Sequence, residues 1–162
     1  MHPTSKELGD HGEGHACELL RERGYAAILL RVNAKTYDIQ ASLGDKTFMV
    51  SVKVSREKQH VRLGSRRSVL GLTPGNFVFA FFPAPGAQIQ DLGQSPHTLL
   101  IIPAEVARDE ALSVHDPYWI DKNKDPNIFS VMVKGYGSHH RAMWPQWLAY
   151  RDAWHLLPLA LP

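Results

Sequence analysis

The stretch YDIQASLGDKTFMVSVKVS, residues 37–55, decides how this chain folds. Both halves alternate apolar and polar residues, and Gly44-Asp45 interrupts them where a two-residue hairpin turn belongs. With that turn, Leu43 faces Lys46, Ala41 faces Phe48, Ile39 faces Val50 and Asp38 faces Ser51. Side chains on a strand point alternately to its two faces. Tyr37, Ile39, Ala41, Phe48, Val50, Val52 and Val54 therefore share one apolar face, and Asp38, Gln40, Met49, Ser51, Lys53 and Ser55 share the other. A one-residue slip would mix the two faces, so the pattern itself fixes the register. Lys53 becomes a diagonal neighbour of Asp38, within reach of a long side chain.

Working outward, residues 5–23 read as a helix with Leu8, Gly12, Ala16, Leu19 and Leu20 on one stripe and Gly24 as its stop. Residues 26–32 read as a largely buried strand. After the hairpin comes a basic connection, and then NFVFAFF, residues 76–82, whose length and aromatic content favour a buried strand. Residues 83–96 form a Pro/Gly/Gln-rich loop and 98–102 a further short strand. A short helix is expected over 103–109 with proline in its first turn, a loop over 116–127 and a last alternating strand over 128–134. Pro145 opens a C-terminal helix in which Trp147, Tyr150, Trp154 and Leu157 recur at helical spacing and read as core. This order predicts an α/β fold, a mixed central sheet flanked by helices, in one domain spanning residues 1–162.

The chain of 162 residues is long enough to enclose a hydrophobic core, and its 44% apolar and 21% charged residues are ordinary globular usage. No apolar run has the length of a membrane helix, and residues 1–10 lack the apolar stretch of a secretory signal. The single cysteine, Cys17, can form no internal disulfide and reads as a small core residue; a reducing cytoplasm is the expected location. The formal charge of +2 implies no particular partner. Its distribution says more: residues 53–67 carry Lys53, Arg56, Lys58, Arg62, Arg66 and Arg67 against Glu57, a local +5 that leaves −3 for the rest. A stripe of that kind suits a polyanion or is simply a solvated loop.

A carboxylate and a lysine on one strand pair are ordinarily a solvated ion pair of little energetic weight. Phosphodiester hydrolysis needs the same two groups for other reasons. Hard oxygen ligands hold a divalent cation that acidifies water and neutralises charge on phosphate, and a lysine orients the attacking water or supports the transition state. Here GEGHACELLRERGY, residues 12–25, followed by residues 37–55, resembles the PD-(D/E)XK nuclease superfamily, which includes restriction endonucleases and Holliday-junction resolvases. The resemblance covers residues 10–56 and implies a restriction-endonuclease-like fold. Glu13 matches the helix acid, Asp38 the strand aspartate and Lys53 the lysine, with the Val52 carbonyl as a further metal ligand and Ser55 at a small polar position. It implies Mg²⁺ or Mn²⁺ as cofactor and DNA as partner, with Arg56, Lys58, Arg62, Arg66 and Arg67 holding phosphates and no role for a membrane. Homodimers are common in the superfamily, so a homodimer is an assembly the resemblance allows.

Position 51 departs from the pattern: the second acid is replaced by Ser51, a weaker, neutral ligand. Either another acid, such as Glu13 or Glu18, supplies the charge, or the enzyme is weakened, or catalysis is lost. Two functions follow, a metal-dependent DNA endonuclease and an inactive nuclease-like module that binds nucleic acid or a protein. His11 and His15, four apart around Glu13, could hold zinc or line the mouth of the site, although HGEGH is not a zincin motif. His139-His140-Arg141 reads as a polar loop that could touch phosphate.

Overall fold

The computed structural model describes residues 4–31, 36–55, 60–84, 96–121, 128–134 and 142–159, with backbone alone for 114–121. The first helix, α1 (Ser5–Glu22), starts at a capping box in which Thr4 and Glu7 bond each other's backbone amides. It buries Leu8, Gly12, Ala16 and Leu20, the stripe read from the sequence, together with Cys17. Gly24 then takes φ 90° and turns the chain into β1 (Ala26–Leu29).

The hairpin pairs β2 (Ile39–Leu43) with β3 (Lys46–Val54) in the expected register, from Ile39↔Val50 to Leu43↔Lys46. Gly44, at the first central turn position, takes the φ of 62° that glycine tolerates there. Next come β4 (His60–Gly64), α2 (Arg66–Leu70), β5 (Phe77–Pro83), β6 (His97–Pro103), α3 (Ala104–Asp121), β7 (Phe129–Met132) and α4 (Pro145–Leu148). The main sheet has the order β1-β2-β3-β5-β6 and is mixed: β3 and β5 are parallel, the other neighbours antiparallel. The second sheet is the pair β4-β7.

Two cores lie on the two faces of the main sheet. On one, Ala16, Leu20, Ile39, Val50, Phe79 and Ile101 pack beneath α1; on the other, Val61, Val69, Val78, Leu100, Ala107 and Phe129 fill the space under β4-β7, α2 and α3. In β5 every residue is buried, and its side chains alternate between the cores. Along β6, Ile101 donates its amide to Tyr150 and Leu99 accepts from Asp152, so the C-terminal segment pairs with that strand's outer side.

Five expectations are corrected. The strand read over 26–32 as largely buried is β1, Ala26–Leu29, an edge strand in which Ala27 alone is buried. The basic connection is structured, because Val61 and Leu63 alternate into the second core and form β4, and α2 follows. The helix expected over 103–109 starts at Ala104, after Pro103 has ended β6, and runs on to Asp121 into the stretch read as a loop. The C-terminal helix stops at Leu148: Asp152 takes φ 47°, the chain bridges to β6, and a 3₁₀ turn covers Trp154–Leu156. Trp147 therefore enters the second core and Leu157 the first. Tyr37 leaves the apolar face assigned to it, because β2 begins at Ile39 and its hydroxyl bonds the end of α2, donating to the Gly71 carbonyl and accepting from the Thr73 amide. Among the described residues no helix is long and apolar enough to cross a membrane.

Candidate active site

Asp38 sits one residue before β2, where the ladder with β3 stops. Its amide donates to Val50 O and its carbonyl accepts from Leu30 N, both at 2.8 Å, so its backbone is held from two sides. Beyond that point no strand among the described residues pairs with β3 on this side, and the Asp38 carboxylate accepts from the Val52 amide at 2.7 Å. A strand residue turns its N–H and C=O to the same side, so the Val52 carbonyl also points to the Asp38 edge.

Glu13 comes to the same place from α1 and shares a hydrogen bond with the Asp38 carboxylate. Burial, then the charge of Asp38, raises the Glu13 pKa from 4.5 to about 7; Asp10 adds to the rise and the Lys53 ammonium opposes it. Asp38 is also raised, first by burial, against the Val52 amide and Lys53. Both shifts describe one physical situation: two part-buried carboxyls in contact that cannot both ionise at low cost. Lys53, on β3, is half-buried and acts electrostatically on both acids.

Glu13, Asp38, Val52 and Lys53 are thus brought together. Ser51 is 1% exposed and lies between Val50 and Val52 on β3, beside Val78 of β5. Ser55 is buried, and its hydroxyl donates to the His60 carbonyl. Arg62 and Arg67 are exposed on β4 and α2, and Arg66 stacks its guanidinium over Phe129 with 5.0 Å to the ring centroid. Arg56 and Lys58, like His139, His140 and Arg141, lie outside the described residues. His15 does not line the mouth of the acid pair; its ring packs against Phe81 and His97. His11 and Glu18 are exposed. Asp10, one turn before Glu13, was not singled out, although its i, i+3 spacing was a signal.

Among the described residues no three His, Cys, Asp or Glu side chains are placed to hold a metal. The donors that do converge, two carboxyls and a backbone carbonyl, are hard oxygens of the kind Mg²⁺ or Mn²⁺ takes. Two acids that resist ionising together mark a position where a cation would relieve the repulsion.

A mixed five-stranded sheet carrying helices on its faces, with the acids at a break in the ladder, is an α/β fold of the restriction-endonuclease-like kind. The bacterial homing endonuclease I-Ssp6803I is similar in structure, with a TM-score of 0.55 and 19% identity over 96% of this chain and 91% of that one. Hjc, a Holliday junction resolvase from Archaeoglobus fulgidus, gives a TM-score of 0.48 and 15% identity over 76% of this chain and 83% of its own. No protein-family model matches the chain, and no curated protein matches it in sequence.

Proposed function

We propose that this protein is a divalent-metal-dependent DNA endonuclease. The observation that carries this reading is the convergence of Glu13 and Asp38, side chain to side chain, at the ladder break, with Lys53 beside them. Glu13, Asp38 and the Val52 carbonyl would hold Mg²⁺ or Mn²⁺, which supplies an acidified water and charge neutralisation. The Val52 amide orients the Asp38 carboxylate. Lys53 orients the attacking water and supports the charge that develops as one P–O ester bond breaks. Arg62 and Arg67, exposed on β4 and α2, would hold phosphates.

Ser51 favours a second reading, a nuclease-like module that binds nucleic acid without cutting it, because the motif's second carboxylate is replaced by a buried hydroxyl. Incubation of supercoiled plasmid with protein and Mn²⁺ separates the two. Nicking that is lost in chelator, in Asp38→Asn and in Lys53→Met supports the enzyme. DNA binding without metal-dependent nicking supports the module, and absence of both removes the nucleic-acid reading.

A further inference from the structure

Beside the acid pair, the walls of a cavity of about 430 Å³ combine two chemistries. Lys53, His60 and Arg62 bring basic groups from β3 and β4, whereas Leu8, Val61 and Ile128 bring aliphatic surface. Glu13 and Asp38 are not part of this lining, but Val52 and Lys53 are, and the Val52 amide is the one that holds Asp38. The cavity and the acid pair therefore share Val52 and Lys53 of β3 as neighbours.

The backbone of a stacked duplex is gripped by cations on an open surface and has no use for a concave, part-aliphatic chamber. Such a chamber suits a ligand with an anionic end and an apolar body, and its volume is within the range of small-molecule sites. A nucleotide drawn out of its stack has both parts. We propose that the cavity receives one unstacked nucleotide next to the phosphate engaged by the acid pair, with Lys53 and Arg62 at its phosphate and Leu8 and Ile128 against its sugar and base. The preferred substrate is then DNA with an unpaired nucleotide at that position, where leaving the stack costs least. This rests on the nuclease reading and adds the form of the DNA to it.

Gly9 also lines the cavity, and nothing lies within 4 Å of where its Cβ would stand. Gly9→Leu therefore places a side chain in the chamber, and replacing a helical glycine favours the helix. Fluorescence anisotropy in Ca²⁺ would compare a labelled duplex carrying one unpaired 2-aminopurine with its fully paired counterpart, after thermal melts confirm that each variant folds. The natural protein and Gly9→Ala are expected to prefer the unpaired form by about tenfold and to alter 2-aminopurine emission on binding. Gly9→Leu is expected to bind both duplexes alike with no emission change. Equal affinity for the two duplexes in the natural protein, or a preference that survives Gly9→Leu, overturns the proposal while leaving the nuclease reading intact. If neither duplex binds, both fall together.

Discussion

Glu13 holds a proton at a pH where an ordinary glutamate does not, and this has a measurable sign. Its folded pKa of about 7 lies above the usual 4.5, so between those values the folded state binds more protons than the unfolded one. Stability of the metal-free protein is accordingly expected to fall as pH rises through that window, the reverse of a salt-bridged carboxylate. Urea midpoints taken between about pH 5 and pH 8 check this. Glu13→Gln, which keeps a donor to Asp38 without the titrating proton, should flatten the slope; an unchanged slope would mean that another group carries it. Position 51 offers a second test. Ser51 lies in the strand segment that bears Val52 and Lys53, so Ser51→Glu should tighten Mn²⁺ binding in calorimetry and raise any nicking activity. It should also lower stability in chelator, since a third buried carboxyl joins the pair, with divalent metal restoring it. No gain in metal affinity would remove position 51 from the ligand set.

From Ile39↔Val50 to its turn the hairpin was legible because one face is buried and any slip is penalised; Tyr37 and Asp38 lie beyond that ladder. The pairing Ile39↔Val50 and its neighbours follow from alternation and from a turn only glycine suits. Gly44→Ala is expected to destabilise by about 1–2 kcal/mol. Gly14→Ala, in a helix with nothing within 4 Å of the new methyl, should stabilise by roughly 0.5–1 kcal/mol, so close packing does not account for this glycine. Both are read from thermal melts. Alternation alone placed Lys53 near Asp38, whereas the approach of Glu13 to Asp38 was not legible from it, because that depends on how α1 crosses the sheet. Elements missed in the sequence are those whose cause is tertiary: β4 forms because β7, far along the chain, pairs with it. The stripe of cations also divides once the fold is known. Arg66 rests on Phe129 and belongs to packing, whereas Arg62 and Arg67 are exposed. Arg62→Gln with Arg67→Gln should weaken DNA binding and reduce the salt slope by about 0.9 for each phosphate the protein no longer neutralises. Titration at several salt concentrations would reveal an unchanged slope if the two are only solvated.

At the scale of the whole molecule, two cores share one sheet, and β5 feeds both. Damage to either should therefore unfold everything. Phe79→Ala in one core and Phe129→Ala in the other are each expected to cost about 3–5 kcal/mol, with far-UV circular dichroism and tryptophan fluorescence melting together. Two separate transitions would instead divide the chain into two units and overturn the single-domain reading. The pairing of the C-terminal segment with β6 bears on synthesis as well. Glu13, Asp38 and Lys53 leave the ribosome long before Ala153 and Leu157, which complete the core under α1. Chains are made N-terminus first, so a nascent chain carries all the chemistry of the site on a sheet whose outer strand is still open. Under the endonuclease reading, the acids and the lysine would gain a closed core beneath them only once Leu157 has followed, a delay written into the order of the strands.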